Sequence, residues 1–161
     1  MSDGKTTGRI QLRRIAIVAA ALVSAFLAWI FLFPHTFQMG PVSLETAQGH
    51  CPFNFPRSAR NIYIGSYRHL SQSSVYIRFE APLADLEACA KKALPSVTPS
   101  AFEAAEAGAM LPVDHDKALG SMIWFDPQKI AHGQRYLKRD ANHPEIFIDT
   151  DRAILYYIQS N

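Results

Sequence analysis

The chain has 161 residues, of which 48% are hydrophobic and 19% charged, an ordinary balance for a folded protein. Four of its 16 basic residues and one of its 14 acidic residues precede Ile15, so the part from Pro34 onward carries twelve basic and thirteen acidic side chains. This near-neutral part has no electrostatic footprint for a polyanion, and we expect no nucleic-acid partner.

An uncharged apolar run extends from Ile15 to Phe33. As a helix it would be roughly 28 Å long, close to the ~30 Å hydrocarbon core of a bilayer. The run is longer than the ~7–15 residues of a signal-peptide core and ends in bulky residues, which favours an uncleaved anchor. Four basic residues precede it and predict a cytoplasmic N-terminus; they are Lys5, Arg9, Arg13 and Arg14.

These features divide the chain into four predicted parts. A cytoplasmic basic tail covers 1–14, a transmembrane helix 15–33, a linker 34–56, and an extracytoplasmic α+β domain 57–161. The linker is assigned from its scattered Gly and Pro residues and its short apolar stretches.

Strands are predicted over 61–65 and 74–80, where β-branched and aromatic residues are enriched. Pro82 opens a predicted helix whose apolar residues recur at helical spacing and which ends at Pro95. Ser100 and Glu103 form a capping-box pattern, which predicts a second helix through about Ala109.

The C-terminal part is predicted to be mostly strands. Residues 121–125 read as a strand, Asp126-Pro127 as the start of a helical turn, and 135–139 as a short strand. The segments 145–149 and 153–158 predict a hairpin across a polar loop, Thr150–Arg152. The expected fold class is α+β: one N-terminal transmembrane helix followed by a small domain with a mainly antiparallel sheet and helices on one face.

Two cysteines, Cys51 and Cys89, lie in the part predicted to be translocated. In an oxidising compartment such a pair commonly forms a disulfide, which is one expectation here. The alternative is two independent small core residues. Metal binding is not expected, because neither belongs to a close Cys-x-x-Cys pair.

No catalytic or cofactor motif is recognised. Asp114-His115-Asp116 has metal-ligand chemistry, with His132 and His143 as further candidates, but a solvated loop is the simpler interpretation. The serines lie in no Gly-x-Ser-x-Gly or Ser-x-x-Lys pattern, and no glycine-rich phosphate loop is present. We therefore expect no catalytic residue, no metal ligand and no cofactor.

Tyrosines on predicted strands form a candidate binding surface, because Tyr is enriched at interfaces; they are Tyr63, Tyr76, Tyr156 and Tyr157. The alternative is that each ring fills the core or covers a sheet edge. Adjacent residues of a strand face opposite sides, so Tyr156 and Tyr157 must point to different faces.

The anchor, the neutral domain and the missing motifs predict a non-catalytic binding or accessory protein. It would sit in the inner membrane with its C-terminal domain in the periplasm, with the bilayer and an envelope protein as partners. An envelope-complex subunit, an assembly factor or an immunity-type protein all fit. The alternatives are a small envelope hydrolase or metal-dependent enzyme built around Asp114, His115 and Asp116, and a small-ligand binder with a Tyr-lined pocket.

Overall fold

A computed structural model describes residues 4–33, 35–69, 72–103, 122–138 and 144–160. The chain divides into two compact units, Met1–Pro34 and His35–Asn161. The helices are α1 (Gly4–Leu32), α2 (Leu44–Gln48) and α3 (Leu83–Ala93). The strands are β1 (His35–Val42), β2 (Arg60–His69), β3 (Gln72–Glu80), β4 (Ser100–Glu103), β5 (His132–Leu137), β6 (Glu145–Asp149) and β7 (Ile154–Ser160).

The first unit contains α1, and the transmembrane helix predicted over 15–33 is wrong. Among the described residues, no helix is both long and apolar enough to cross a membrane. The described side chains of α1, from Arg14 to Trp29, are all exposed.

The second unit is one seven-stranded sheet in the order β1-β2-β3-β7-β6-β5-β4. Every neighbouring pair is antiparallel. Beside the sheet, the described part of this unit holds two short α-helices and a single 3-10 turn over Pro127–Lys129. The predicted class, α+β with a transmembrane helix, is therefore wrong, and the fold is an antiparallel sheet with few helices.

Two segments account for the additional sheet. His35–Val42, inside the predicted linker, pairs with β2. Ser100–Glu103, read as a capping box, pairs with β5. Conversely, the described residues 122–125 of the strand predicted over 121–125 form no strand, and 123–124 lie in a turn. Pairing with strands distant in sequence determines the secondary structure of these segments and overrides their local sequence signals.

Several predicted elements are confirmed, including the strands over 61–65 and 74–80, which lie within β2 and β3. The helix after Pro82 is α3, with Leu86, Cys89 and Ala90 on its buried side. The C-terminal hairpin is β6 and β7, paired from Asp149 opposite Ile154. The connecting turn covers 150–153 and is one residue longer than predicted, with Ala153 at a positive φ of 53°.

Both faces of the sheet are covered, which explains why all five residues of β6 are buried. We call the face against α2 and α3 the helix-side face. Its core comprises Ile62, Ile64, Ile77, Phe79, Tyr136, Ile146, Ile148, Leu155 and Tyr157 together with residues of α3. We call the other the turn-side face. Its core comprises Tyr76, Phe147, Ile154, Tyr156 and Ile158 under Met122, Phe125 and Ile130.

We call residues 122–130 the covering segment. It lies close to the turn-side face because β2 has a glycine, Gly65, beneath it. A Cβ atom at this position would be 2.5 Å from Sδ of Met122 and 3.0 Å from Cζ2 of Trp124. Trp124 also donates a hydrogen bond from Nε1 to Oε1 of Gln38 at 3.2 Å. The segment is thus attached to both β1 and β2.

Candidate functional site

The four tyrosines of the predicted binding surface do not share a surface. Tyr76 and Tyr156 are fully buried on the turn-side face, and Tyr157 is buried on the helix-side face. Tyr63 is half-buried, and its ring stacks on Trp124 with centroids 5.5 Å apart. Tyr156 and Tyr157 do point to opposite faces, but both rings are covered because each face carries its own core.

The buried polar groups of the turn-side face pair with one another. Asp126 accepts a hydrogen bond from the hydroxyl of Tyr156 at 2.7 Å and forms an ion pair with Lys129 at 3.1 Å. Arg152 donates from Nε to Asp149, whose other oxygen caps the hairpin turn by accepting from two backbone N–H groups. Because each carboxylate is held by cations or amides, this network stabilises the turn and offers no acid–base pair.

Nδ1 of His132 lies 2.9 Å from Oδ2 of Asp151, within hydrogen-bond distance. The two side chains are 73% and 53% exposed, so the pair lies at the surface and contributes little to stability. Asp114, His115, Asp116 and His143 lie outside the described residues. Within the described part of the chain, no group of three or more His, Cys, Asp or Glu side chains could hold a metal ion.

Cys51 and Cys89 are free thiols that pack against the helix-side core. Sγ of Cys89 donates to the backbone carbonyl of Asn54 at 3.7 Å. Burial raises the pKa of Cys51 to about 12 and that of Cys89 to about 11. Both therefore resemble packing thiols rather than nucleophiles at neutral pH, and the disulfide stays a prediction.

The sheet has two edge strands, β1 and β4, and the longer of them is β1. This strand ends the sheet order, so its described partner on one side is β2 and its other side pairs with no described strand. Five consecutive residues, His35–Met39, follow an unbroken antiparallel register with β2. In such a ladder, alternate backbone N–H and C=O groups point away from the paired strand. We call His35–Met39 the open edge segment.

The remainder of β1 is protected against pairing. Gly40-Pro41 follows the open edge segment, and the register with β2 is broken between Met39 and Val42. Proline and bulges are two of the devices that block edge pairing, and charged side chains are a third. The open edge segment contains none of the three, and its central residue, Phe37, is 54% exposed.

The side chains of the open edge segment divide between the two faces. Direct pairing places Phe37 with Ser66 and Met39 with Ile64 on the helix-side face, and Gln38 with Gly65 on the turn-side face. A strand added beside β1 would therefore meet Phe37 on one face and Gln38 on the other. The His-Thr-Phe-Gln-Met alternation is a period-two signal of a strand. The nearby Gly-Pro pair favours a linker instead, and the linker prediction rests on it.

A cavity of about 520 Å³ lies at the same end of the sheet. Its lining comes from three separate segments and comprises Gly49, His50, Cys51, Pro52, Ser73, Val75 and Gln159. The imidazole, hydroxyl and amide groups can hydrogen-bond a small polar group, and the lining contains no carboxylate. Residues so distant in sequence carry no local signal, so sequence reasoning could not find the cavity.

Comparison with known proteins supplies no relative. No protein-family model matches the chain, and neither a curated protein nor a solved structure does.

Proposed function

We propose that the sheet unit is a non-catalytic binding module that recruits a protein partner by adding an extended segment of that partner to β1. One observation carries this proposal: the open edge segment is regular and contains no Asp, Glu, Lys or Arg, and its outer side pairs with no described strand, while the adjacent half of β1 is blocked. Strand addition of this kind derives affinity from main-chain hydrogen bonds and specificity from alternate side chains.

The edge also indicates the chemistry of the segment it accepts. Phe37 presents an exposed ring, so an apolar or β-branched side chain opposite it would gain a cross-strand contact worth about 0.2–1 kcal/mol. On the other face, Gln38 accepts a hydrogen bond from Trp124, which holds its side chain in place. A partner strand whose side chains alternate between the two faces would contact Phe37 on one face and Gln38 on the other.

An envelope protein as partner, and a periplasmic location, stay predictions from the sequence. Edge pairing requires neither. A complex subunit, an assembly factor and an immunity-type protein would each use the same contact, because all three roles depend on recognising another chain.

In-cell photo-crosslinking of the full-length chain tests the proposal. A photoreactive residue replaces Thr36 in the open edge segment, and a matched probe replaces Gln128, an exposed residue of the 3-10 turn. We expect a covalent adduct with a different protein at position 36 and none at position 128. Mass spectrometry of the adduct should locate the crosslink in an extended segment.

The variant Phe37→Glu places a charge on the edge and should abolish the adduct. Ile123→Glu is the control, since Ile123 is also apolar and is 86% exposed. Both variants should melt near the parent temperature. An adduct that persists in Phe37→Glu, or one formed mainly with a second copy of this chain, would overturn the proposal.

A further inference from the structure

The end of the sheet that carries the open edge segment has one exposed arginine, Arg68. On the helix-side face, Arg68 of β2 is paired directly with His35 of β1 and with Ser73 of β3. His50 lines the cavity that Ser73 also lines. No acidic residue occurs in 35–42, 49–52, 66–69 or 72–75.

The side chain of Arg68 is exposed, and among the described residues it makes no ion pair. By contrast, Arg60, on the same strand, is paired with Glu80. An exposed guanidinium beside an open edge is therefore available to a group that arrives with the partner.

The distances suit a carboxylate on the added strand. Neighbouring strands lie about 4.8 Å apart, so a strand added to β1 would lie ~10 Å from β2. The side chain of Arg68 extends about 6–7 Å and that of Asp or Glu a further ~3–4 Å, which together close this gap. The two would meet over His35, on the face where all three side chains point.

We propose that the segment added to β1 is acidic, with an Asp or Glu side chain opposite His35 on the helix-side face, held by Arg68. This inference rests on the proposed function and specifies its partner. A basic residue at that position would be repelled, so Arg68 acts as a specificity residue rather than as the source of affinity.

A positional peptide scan tests it with the full-length chain. The probes are fluorescein-labelled, acetylated hexapeptides of alternating Thr and Val, with Asp, Asn or Lys placed at each position in turn. Fluorescence anisotropy gives each affinity. We expect one position at which Asp binds about fivefold tighter than Asn, as suits a partly exposed ion pair, and at which Lys binds more weakly than Asn.

Two variants separate the outcomes. Arg68→Gln should remove the preference for Asp while leaving the affinity for the Asn peptide within about twofold of the parent. Arg60→Gln should keep the preference for Asp. Suppose that peptides bind and that their binding depends on Phe37. The acidic-partner inference is then overturned if no position prefers Asp, or if the preference for Asp persists in Arg68→Gln. Edge binding stands in either case. If no hexapeptide binds, or if Phe37→Glu leaves binding intact, edge binding itself fails and the inference falls with it.

Discussion

The hydroxyl group of Tyr156, in the centre of the sheet, donates a 2.7 Å hydrogen bond to Oδ1 of Asp126, 30 residues earlier in the chain. Arg152 donates a second hydrogen bond, from Nη2 to the same hydroxyl oxygen, at 3.2 Å. The contact joins the hairpin of β6 and β7 to the segment that covers the turn-side face. It is a part-buried polar link between two parts of the chain that only the fold brings together.

Replacement of Tyr156 by Phe should lower the free energy of unfolding by about 2 kcal/mol, since a buried hydrogen bond to a charged group is lost. Urea denaturation measures the change. A double-mutant cycle with Asp126→Asn isolates the pair, because Tyr156→Phe should cost less in that background. Equal costs in both backgrounds would show that the Tyr156 hydroxyl contributes independently of Asp126.

Gly65→Ala should destabilise the chain by about 1–3 kcal/mol, because the added methyl group would overlap Met122 and Trp124. The fluorescence of Trp124 should shift as the covering segment moves outward. Gly49→Ala is the matched control, since the nearest atom to a Cβ there is the carbonyl oxygen of Thr46 at an ordinary 3.6 Å.

Met122→Ala should recover part of the stability lost in Gly65→Ala, because it removes the closest overlapping atoms. A Gly65→Ala protein as stable as the parent would mean that the covering segment is not packed against β2.

Glu145 should give the chain a characteristic pH dependence. Burial raises the pKa of this carboxyl group, while its ion pair with Arg135 lowers it by a smaller amount. The folded state therefore holds the Glu145 proton more tightly than the unfolded state does. The stabilisation from this group is present at low pH and is lost as pH rises above about 4.5 toward the folded pKa.

Glu145→Gln cannot titrate, so the stability of the parent relative to the variant should decline as pH rises from 4 upward. Urea midpoints of both proteins across this range measure the difference. Parallel curves would contradict a raised pKa. At neutral pH the variant also leaves Arg135 without its carboxylate partner, so only the slope of the difference, and not its absolute size, reports the titration.

The two thiols should react slowly in the native protein and rapidly after unfolding. At neutral pH both are protonated, with the pKa of Cys51 at about 12 and that of Cys89 at about 11, and the thiolate is the reactive form. A chromogenic disulfide reagent, applied without reductant, should label two thiols in guanidinium and few in buffer. No labelling in guanidinium would instead establish the disulfide predicted from the sequence.

Local signals predicted the elements whose partners are close in the chain. The hairpin of β6 and β7 and the helix α3 were found because alternation, helical spacing and flanking prolines operate within a few residues. By contrast, β1 and β4 were missed. Their partners are β2 and β5, which lie further along the chain. Locally, Gly40-Pro41 indicates a linker and the Ser100–Glu103 pattern indicates a helix start, and both signals are stronger than the signal for a strand.

The candidate site was largely beyond sequence reasoning for the same reason. The tyrosines were correctly placed on strands, yet whether a ring is exposed depends on what covers each face. Met122, Phe125 and Ile130 cover one face and α3 covers the other, so three of the four rings are buried. The open edge depends in turn on the position of β1 at the end of the sheet order.

By itself, the sequence determined the near-neutral charge of the chain beyond residue 34, the hairpin, the helix α3 and the opposite orientations of Tyr156 and Tyr157. These depend on composition or on a repeat of two or 3.6 residues. Only the tertiary structure decided which strands lie side by side, which faces are covered and which strands form the edges. Those properties arise from pairing and packing between residues far apart in the chain, and no local pattern encodes them.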